Sequence, residues 1–421
     1  MALATVPEAG RVAFTVPDNG GAWLYDGRKG TVERIAYRLR AAPNGRALLS
    51  LPLKVDDPIV LRDLAADRTV PLPIAANVTF DVTADASRVA HVKDRTLIVV
   101  DPDRPPRTVF PEYRFTSARW SPSGKLLALT GPLVADDLPP GTPFERPNFV
   151  AYDLWLVDFD AKTLRRFYVA PSYGPSAFGV PAYPGLELGT WSPDERYVTA
   201  YQGITLAAGQ RGEPVGLVAV DARTGASWPL GGSLHAIAWQ AWRAPHTLAY
   251  VGAAGRSGWD QRRIRLWSPE TAVRDLTGTD EMAFDPVWDP SGRSLYFIRA
   301  PAGPYVADDY FAGRGIGARR VARLDLETGA RSEITGTPGY ADEAVLASAD
   351  GRDMLVLRRR TARDPLVELW LWPLDGRPPR ALATVPIARF GEYQLRSYDL
   401  AYWVLASSQS YAFFDSAAWS R

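Results

Sequence analysis

Trp120-Ser121-Pro122-Ser123-Gly124-Lys125 runs directly into the apolar stretch Leu126-Leu127-Ala128-Leu129. The arrangement returns as Trp191-Ser192-Pro193-Asp194-Glu195-Arg196 before Tyr197-Val198. A third copy is Trp288-Asp289-Pro290-Ser291-Gly292-Arg293, before Ser294-Leu295-Tyr296-Phe297-Ile298. Pro presets φ, Ser or Asp folds its side chain back onto the backbone, and Gly takes a positive φ. The hexapeptide therefore reads as a tight turn between two strands. The Trp ahead of it is large enough to fill space between neighbouring repeats. A structural role accounts for every residue of the motif.

Degenerate copies extend the pattern outward. Pro43-Asn44-Gly45-Arg46 precedes Ala47-Leu48-Leu49, and Asp85-Ala86-Ser87-Arg88 precedes Val89-Ala90-His91-Val92. Trp242-Arg243-Ala244-Pro245-His246 precedes Thr247-Leu248-Ala249-Tyr250, and Ala349-Asp350-Gly351-Arg352 precedes Asp353-Met354-Leu355. A faint last copy is Arg396-Ser397-Tyr398-Asp399. Spacings between copies run from 37 residues (Arg88 to Lys125) to 71 (Lys125 to Arg196). The shorter ones match the roughly 40–50 residues of a four-stranded, WD-like propeller blade, and the longer ones imply insertions.

A second repeat follows the first. Val157-Asp158-Phe159-Asp160-Ala161-Lys162-Thr163, Val220-Asp221-Ala222-Arg223-Thr224-Gly225, Leu324-Asp325-Leu326-Glu327-Thr328-Gly329 and Pro373-Leu374-Asp375-Gly376 each close an apolar strand. Asp caps the turn and Gly takes the positive φ. Each unit then reads as strand A, W-S-P-x-G-R turn, strand B, loop, strand C, D-x-x-T-G turn, strand D. Helical periodicity is nearly absent, and short apolar runs are punctuated by Gly, Pro, Asp and Asn, the all-β signal.

This alternation of W-S-P-[DS]-G-[KR] with D-x-x-T-G resembles the TolB-type propeller repeat, which also builds the propeller domains of prolyl-oligopeptidase and dipeptidyl-peptidase-type enzymes. The resemblance covers nearly the whole chain, strongly in three copies. It implies a fold and no particular activity. Residues 11–36 add three strand candidates without a leading A strand, and the segment after Phe390 adds up to three more, ending at Ser410-Tyr411-Ala412-Phe413-Phe414. The expectation is a single β-propeller domain over 1–421, all-β, with eight four-stranded blades and seven as the alternative. Terminal strands would share one blade and so hide its edges.

Composition narrows the class. Net charge is +1, from 48 basic and 47 acidic residues, which gives no electrostatic footprint for nucleic acid. No apolar run is long enough for a membrane helix. Cysteine is absent, which excludes disulfides, thiol catalysis and thiolate metal sites. That suits a thermostable or an exported bacterial protein. The segment beginning Met1-Ala2-Leu3 lacks a basic n-region, so an extracytoplasmic location is expected only if a leader or anchor has been removed, and a cytoplasmic one otherwise.

Extra residues gather at 131–148, 170–185, 203–213 and 300–318. Three of these join B to C and one joins D to the next A, connections that open on one face of a propeller. Long loops in a compact domain are usually functional. Two share a segment: Gly131-Pro132-Leu133-Val134-Ala135-Asp136-Asp137 reappears as Gly303-Pro304-Tyr305-Val306-Ala307-Asp308-Asp309. The acidic pairs Asp136, Asp137, Asp308 and Asp309 are suited to hold a cation, a substrate amine or a partner's Arg or Lys. Inheritance by blade duplication, with the Asp side chains capping turns or pairing with Arg314, Arg319 and Arg320, accounts for them equally. Tyr305, Tyr310, Phe144 and Tyr173 are the aromatic candidates for the same binding face. No cofactor is predicted, and the acidic loops suit Ca²⁺ without demanding it.

Other constellations are missing. No G-x-S-x-G elbow is present, since Gly231-Gly232-Ser233-Leu234-His235 lacks the second Gly. His91, His235 and His246 fall on dissimilar positions of the repeat, which argues against a His-based metal site. Arg358-Arg359-Arg360 ends a B strand and reads as a solvated cluster or a partner contact. The expectation is a non-enzymatic binding or scaffold protein whose looped face takes a protein, peptide or glycan. The alternatives are a lyase- or glycosidase-type enzyme using channel carboxylates, and a subunit of a larger assembly.

Overall fold

The computed structural model consists of short antiparallel strands joined by turns, with no α-helix among the described residues. These residues are 11–16, 21–36, 38–41, 47–51, 57–63, 68–74, 79–102, 104–131, 153–171, 185–202, 215–233, 239–252, 262–302, 318–348, 350–360, 364, 366–386 and 418–420. The chain divides into two compact units, 1–41 with 236–421, and 42–235.

In chain order the strands are β1 (Arg11–Val16), β2 (Gly21–Asp26), β3 (Thr31–Ala36) and β4 (Arg38–Ala41), then β5 (Ala47–Leu51), β6 (Ile59–Asp63) and β7 (Arg68–Leu72). Next come β8 (Thr79–Val82), β9 (Val89–Lys93), β10 (Thr96–Val100) and β11 (Arg107–Thr108), then β12 (Ser117–Trp120), β13 (Leu126–Gly131), β14 (Asp153–Asp158) and β15 (Thr163–Val169). The first of the two units to close is completed by β16 (Leu186–Trp191), β17 (Tyr197–Gln202), β18 (Val215–Asp221) and β19 (Ser227–Ser233). There follow β20 (Gln240–Arg243), β21 (Thr247–Gly252), β22 (Arg263–Ser268) and β23 (Thr271–Asp275), then β24 (Glu281–Trp288), β25 (Ser294–Pro301), β26 (Arg320–Asp325) and β27 (Arg331–Glu333). The last are β28 (Ala341–Ala347), β29 (Asp353–Arg359), β30 (Leu366–Pro373), β31 (Arg380–Pro386) and β32 (Ala418–Ser420).

Within unit 42–235, β8–β11, β12–β15 and β16–β19 are each four antiparallel strands paired in sequence, and β5–β7 are three. Within the other unit, β20–β23, β24–β27 and β28–β31 repeat the arrangement. There β1–β3 gain a fourth strand from β32, which pairs Arg11 with Ser420 and Ala13 with Ala418. The segment 391–417, which includes the anticipated Ser410–Phe414, lies outside the described residues.

Burial explains the sequence pattern of each set. Second strands such as β13, β25 and β29 are covered on both sides, so they read as unbroken apolar runs. Fourth strands such as β23 and β27 are exposed and charged, which blunts their free edges. The apolar faces meet between consecutive sets. Ala128, Leu154 and Leu156 pack with Leu188, Val198 and Val220, and Ala249 and Ile264 pack with Ala283, Leu295 and Phe297. Val12, Phe14 and Tyr25 of the first set pack against Leu355, Leu357 and Leu369 of the last.

The quoted motif is a turn with a satisfied backbone. The Ser121 hydroxyl accepts from Leu126 N at 3.2 Å, Ser192 from Tyr197 N at 2.9 Å, and Asp289 from Ser294 N at 3.0 Å. The Trp spans to the preceding set: Trp191 Nε1 donates to the Arg119 carbonyl at 3.1 Å and Trp288 Nε1 to that of Ala241 at 2.9 Å. In the second motif Asp221, Asp325 and Asp158 each accept two backbone N–H groups across the turn. Asp26 does the same for Arg28 and Lys29, which adds Asp26-Gly27-Arg28-Lys29-Gly30 to the family of turns.

Candidate functional site

The strands bracket the predicted insertions as expected. Gly131 ends β13 and Asp153 opens β14, Gln202 ends β17 and Val215 opens β18, and Pro301 ends β25 and Arg320 opens β26. These three connections join second to third strands, and the one from β15 to β16 joins a fourth to the next first. Asp136, Asp137, Phe144, Tyr173, Tyr305, Asp308, Asp309 and Tyr310 all lie outside the described residues.

What the described residues bring together at these strand ends, within unit 1–41 and 236–421, is a buried arginine–carboxylate cluster. The start of β28 pairs with the end of β29, Asp342 opposite Arg358, and the register shifts between Asp342 and Ala344. That bulge inserts Glu343 and turns two successive acids inward. Asp342 Oδ1 accepts from Arg358 Nε at 2.6 Å, and its Oδ2 accepts from Val321 N at 3.0 Å and from the Thr335 hydroxyl. Glu343 Oε1 accepts from Arg359 Nε at 2.6 Å and from Arg319 Nη2. Arg319, Arg358 and Arg359 are 2%, 0% and 6% exposed, so the three guanidiniums are removed from water beside the carboxylates of Asp342 and Glu343.

The expectation of a solvated Arg358-Arg359-Arg360 cluster is corrected here: only Arg360 is exposed, and it pairs with Glu368 at 3.1 Å. Bulge geometry buries the other two. Arg358 lies in a cage of rings, its guanidinium carbon 4.6 Å from the Tyr340 centroid, 5.0 Å from Trp372 and 5.5 Å from Trp370. Tyr340 and Trp370 are fixed by bonds to Glu368 at 3.3 and 2.8 Å. Arg358 Nη2 and Glu343 Oε2 are buried and make no hydrogen bond among the described residues.

The two acids have opposite electrostatics. Burial pushes the Asp342 carboxyl up, outweighing Arg358 and the Thr335 and Val321 donors. Burial acts in the same direction on Glu343, but Arg319 and Arg359 together overcome it and hold this carboxyl below its ordinary range. The preceding set has a more open version, in which buried Glu281 pairs with Arg299 at 3.2 Å and with Arg331. Chemically the arrangement is a buried ion-pair cluster in which Arg319 Nε, Arg358 Nη2 and Glu343 Oε2 carry no hydrogen bond among the described residues.

Other candidates sort out plainly. Ser233 ends β19 and is buried. His91 is buried in β9, and His246 pairs with Glu270 at 3.0 Å beside the β20–β21 turn, while His235 lies outside the described residues. Among the described residues no group of three or more His, Asp or Glu could hold a metal ion, and no helix is long and apolar enough to cross a membrane.

No protein-family model and no curated protein matches the chain by sequence. Solved structures do match. Dipeptidyl peptidase 4 of Porphyromonas gingivalis superposes with a TM-score of 0.54 at 11% identity, over 90% of this chain and 58% of that one. Dihydro-heme d1 dehydrogenase NirN gives 0.53 at 14% identity, over 92% and 75%. A prolyl endopeptidase gives 0.51 at 11% identity, over 92% and 52%. The chain spans little more than half the length of the two peptidases. Identities this low speak for the fold alone, and they support the β-propeller architecture implied by the repeat.

Proposed function

We propose that the chain is a non-enzymatic binding module built as one eight-bladed β-propeller. Its sets in chain order are β1–β3 with β32, β4–β7, β8–β11, β12–β15, β16–β19, β20–β23, β24–β27 and β28–β31. The β1–β32 pairing and the packing of Phe14 against Leu355 support closure by both termini. On this reading, deleting Ala418–Ser420 opens the first set, lowers the thermal midpoint and enlarges the radius of gyration in solution scattering. An unchanged midpoint and radius would sink the closure.

The binding face is the one from which the long connections leave, and its partner is a protein segment carrying charges of both signs. The observation behind this is buried Arg358, whose Nη2 makes no hydrogen bond among the described residues and suits an acidic group. The acidic pairs Asp136, Asp137, Asp308 and Asp309 supply the opposite preference, flanked by Phe144, Tyr173, Tyr305 and Tyr310. A polyanionic glycan would satisfy the arginines and be repelled by four aspartates. Glu281, Asp342 and Glu343 each accept from arginine, and Glu343 is held ionised, so it is poorly suited to protonate a leaving group. That speaks against Glu343 as a general acid. The absence of cysteine suits a protein working outside the cytoplasm.

The test is a binding titration of the full chain against synthetic mixed-charge, polycationic and polyanionic peptides and against polygalacturonate. Mixed-charge peptides should bind best, and alanine at all four aspartates should weaken them at least about tenfold. Equal affinity of that variant, or preference for the polyanions, would refute the proposal.

A further inference from the structure

At the opposite ends of the strands, where the short turns lie, unit 1–41 and 236–421 carries a cavity of ≈ 360 Å³. Arg243, Arg274, Arg293 and Glu327 line it together with Leu266 and Leu326. Its size falls within the roughly 300–1,000 Å³ of small-molecule sites, with an apolar floor and a few convergent polar groups. Three guanidiniums face one carboxylate.

The charge is not spoken for inside the protein. Arg243 is held in place, with Nη1 donating to the Gly292 carbonyl at 2.8 Å, Nη2 to the Thr247 hydroxyl at 3.2 Å, and its guanidinium 4.8 Å from the Trp288 centroid. Arg274 and Arg293 are exposed and make no ion pair or side-chain hydrogen bond among the described residues.

Two other copies of the motif show how this basic residue can be paired. Arg293 occupies the basic position that ends the hexapeptide. In the β16–β19 set that residue is Arg196, which pairs with Asp221 of its own second turn at 3.0 Å. In the β12–β15 set it is Lys125, 3.9 Å from Asp160. In the β24–β27 set Asp325 accepts from the backbone of Glu327 and Thr328 and from the Thr328 hydroxyl but makes no ion pair with Arg293, which lines the cavity. A structural basic residue has become an available one.

We infer that this cavity binds a multiply charged oxyanion, a phosphate or polycarboxylate group, between Arg274 and Arg293 and against the fixed Arg243. Guanidiniums offer paired N–H donors that match either group. The site is independent of the partner face proposed above. Glu327 opposes the anion, so it sets the sign of a control.

The experiment is calorimetric titration of the full chain at constant ionic strength with inorganic phosphate, citrate and acetate. Saturable binding of phosphate but not citrate would mark a phosphate site, and the reverse a carboxylate site, with acetate weakest in either case. Arg274→Gln with Arg293→Gln, both at exposed positions, should weaken binding about tenfold or more while circular dichroism and the thermal midpoint stay unchanged. Glu327→Gln should tighten it roughly two- to fivefold, an effect that a merely structural role for these residues would not produce. The inference is overturned if neither phosphate nor citrate binds saturably. It is also overturned if the double variant binds as the wild type does, or if Glu327→Gln weakens binding.

Discussion

Replacing Glu343 by Gln keeps the shape of the side chain and removes the one negative charge shared by Arg319 and Arg359. Both side chains are nearly inaccessible, at 2% and 8%, so neither can turn to water for compensation. Breaking a buried pair from one side costs about 3–5 kcal/mol, because an uncompensated charge is left behind. A guanidinium and carboxylate at about 4 Å and an effective dielectric near 20 give ~4 kcal/mol, in agreement. Glu343→Gln should therefore lower stability by about 3–5 kcal/mol, and adding Arg319→Met should recover roughly half by restoring the charge balance.

Asp342→Asn is the internal comparison, one residue away. Burial pushes the Asp342 carboxyl up, so its ionised form is already disfavoured, and Asn still accepts from Val321 N and Thr335. Its cost should be smaller than that of Glu343→Gln at the same pH. The pH dependence separates the two. Glu343 has a folded pKa below the ordinary 4.5, so its contribution is present above that value and lost as pH falls through the folded one. Asp342 has a folded pKa above 3.8, so its contribution is present below 3.8 and lost as pH rises through the folded value. Denaturant unfolding followed by fluorescence, at pH 7 and again below pH 4, reads both. If Asp342→Asn costs as much as Glu343→Gln at pH 7, or if the Glu343→Gln deficit persists undiminished in acid, the charge assignment is wrong.

Three further outcomes follow from single contacts. Burial first, and Lys93 second, push His91 down to about 4 from 6.5, so the neutral ring belongs to the fold. The stability this confers is complete above 6.5 and lost as pH falls toward 4, about 2–3 kcal/mol in all, and His91→Gln should flatten calorimetric midpoints across that window. Gly225 and Gly329 occupy the same turn position with φ of 77° and 72°. A Cβ on Gly225 would sit 2.2 Å from the Phe167 carbonyl oxygen, whereas one on Gly329 would meet nothing within 4 Å. Gly329→Ala should cost about 1 kcal/mol and Gly225→Ala at least twice that, read by denaturant midpoints. Trp288→Phe removes the Nε1 bond to the Ala241 carbonyl and part of the surface under Arg243, for a loss of about 1–2 kcal/mol in the same assay.

The blade pattern was legible because its determinants are local. A Ser or Asp that caps a turn and a Gly that accepts positive φ act within five residues, so each copy announces itself without its neighbours. Even so, Asp26-Gly27-Arg28-Lys29-Gly30 escaped, because Lys29 stands where other copies have Thr, although the Asp alone carries the two backbone bonds. The loop-bearing strand ends were legible from spacing, while the loop residues themselves fall outside the described residues.

The cluster was not legible, for a reason that lies in register. Arg358 and Arg359 are adjacent, and in a regular strand adjacent side chains point to opposite faces, so the two would not face neighbouring acids on one partner strand. Their burial depends on the shift between Asp342 and Ala344, 16 residues earlier, which sets two acids against two arginines on the neighbouring strand. Nothing in Arg-Arg-Arg encodes that bulge. The cavity lesson is sharper, because there the letters were identical. Lys125, Arg196 and Arg293 occupy one motif position, yet two are neutralised by an Asp of their own second turn, and the third lines a cavity. Asp221 and Asp325 accept the same pair of turn N–H groups, but only Asp221 also pairs through its second oxygen with the arginine of its set. A repeat fixes which residue types recur, and the side-chain geometry of each copy decides which of them is free to act on a ligand.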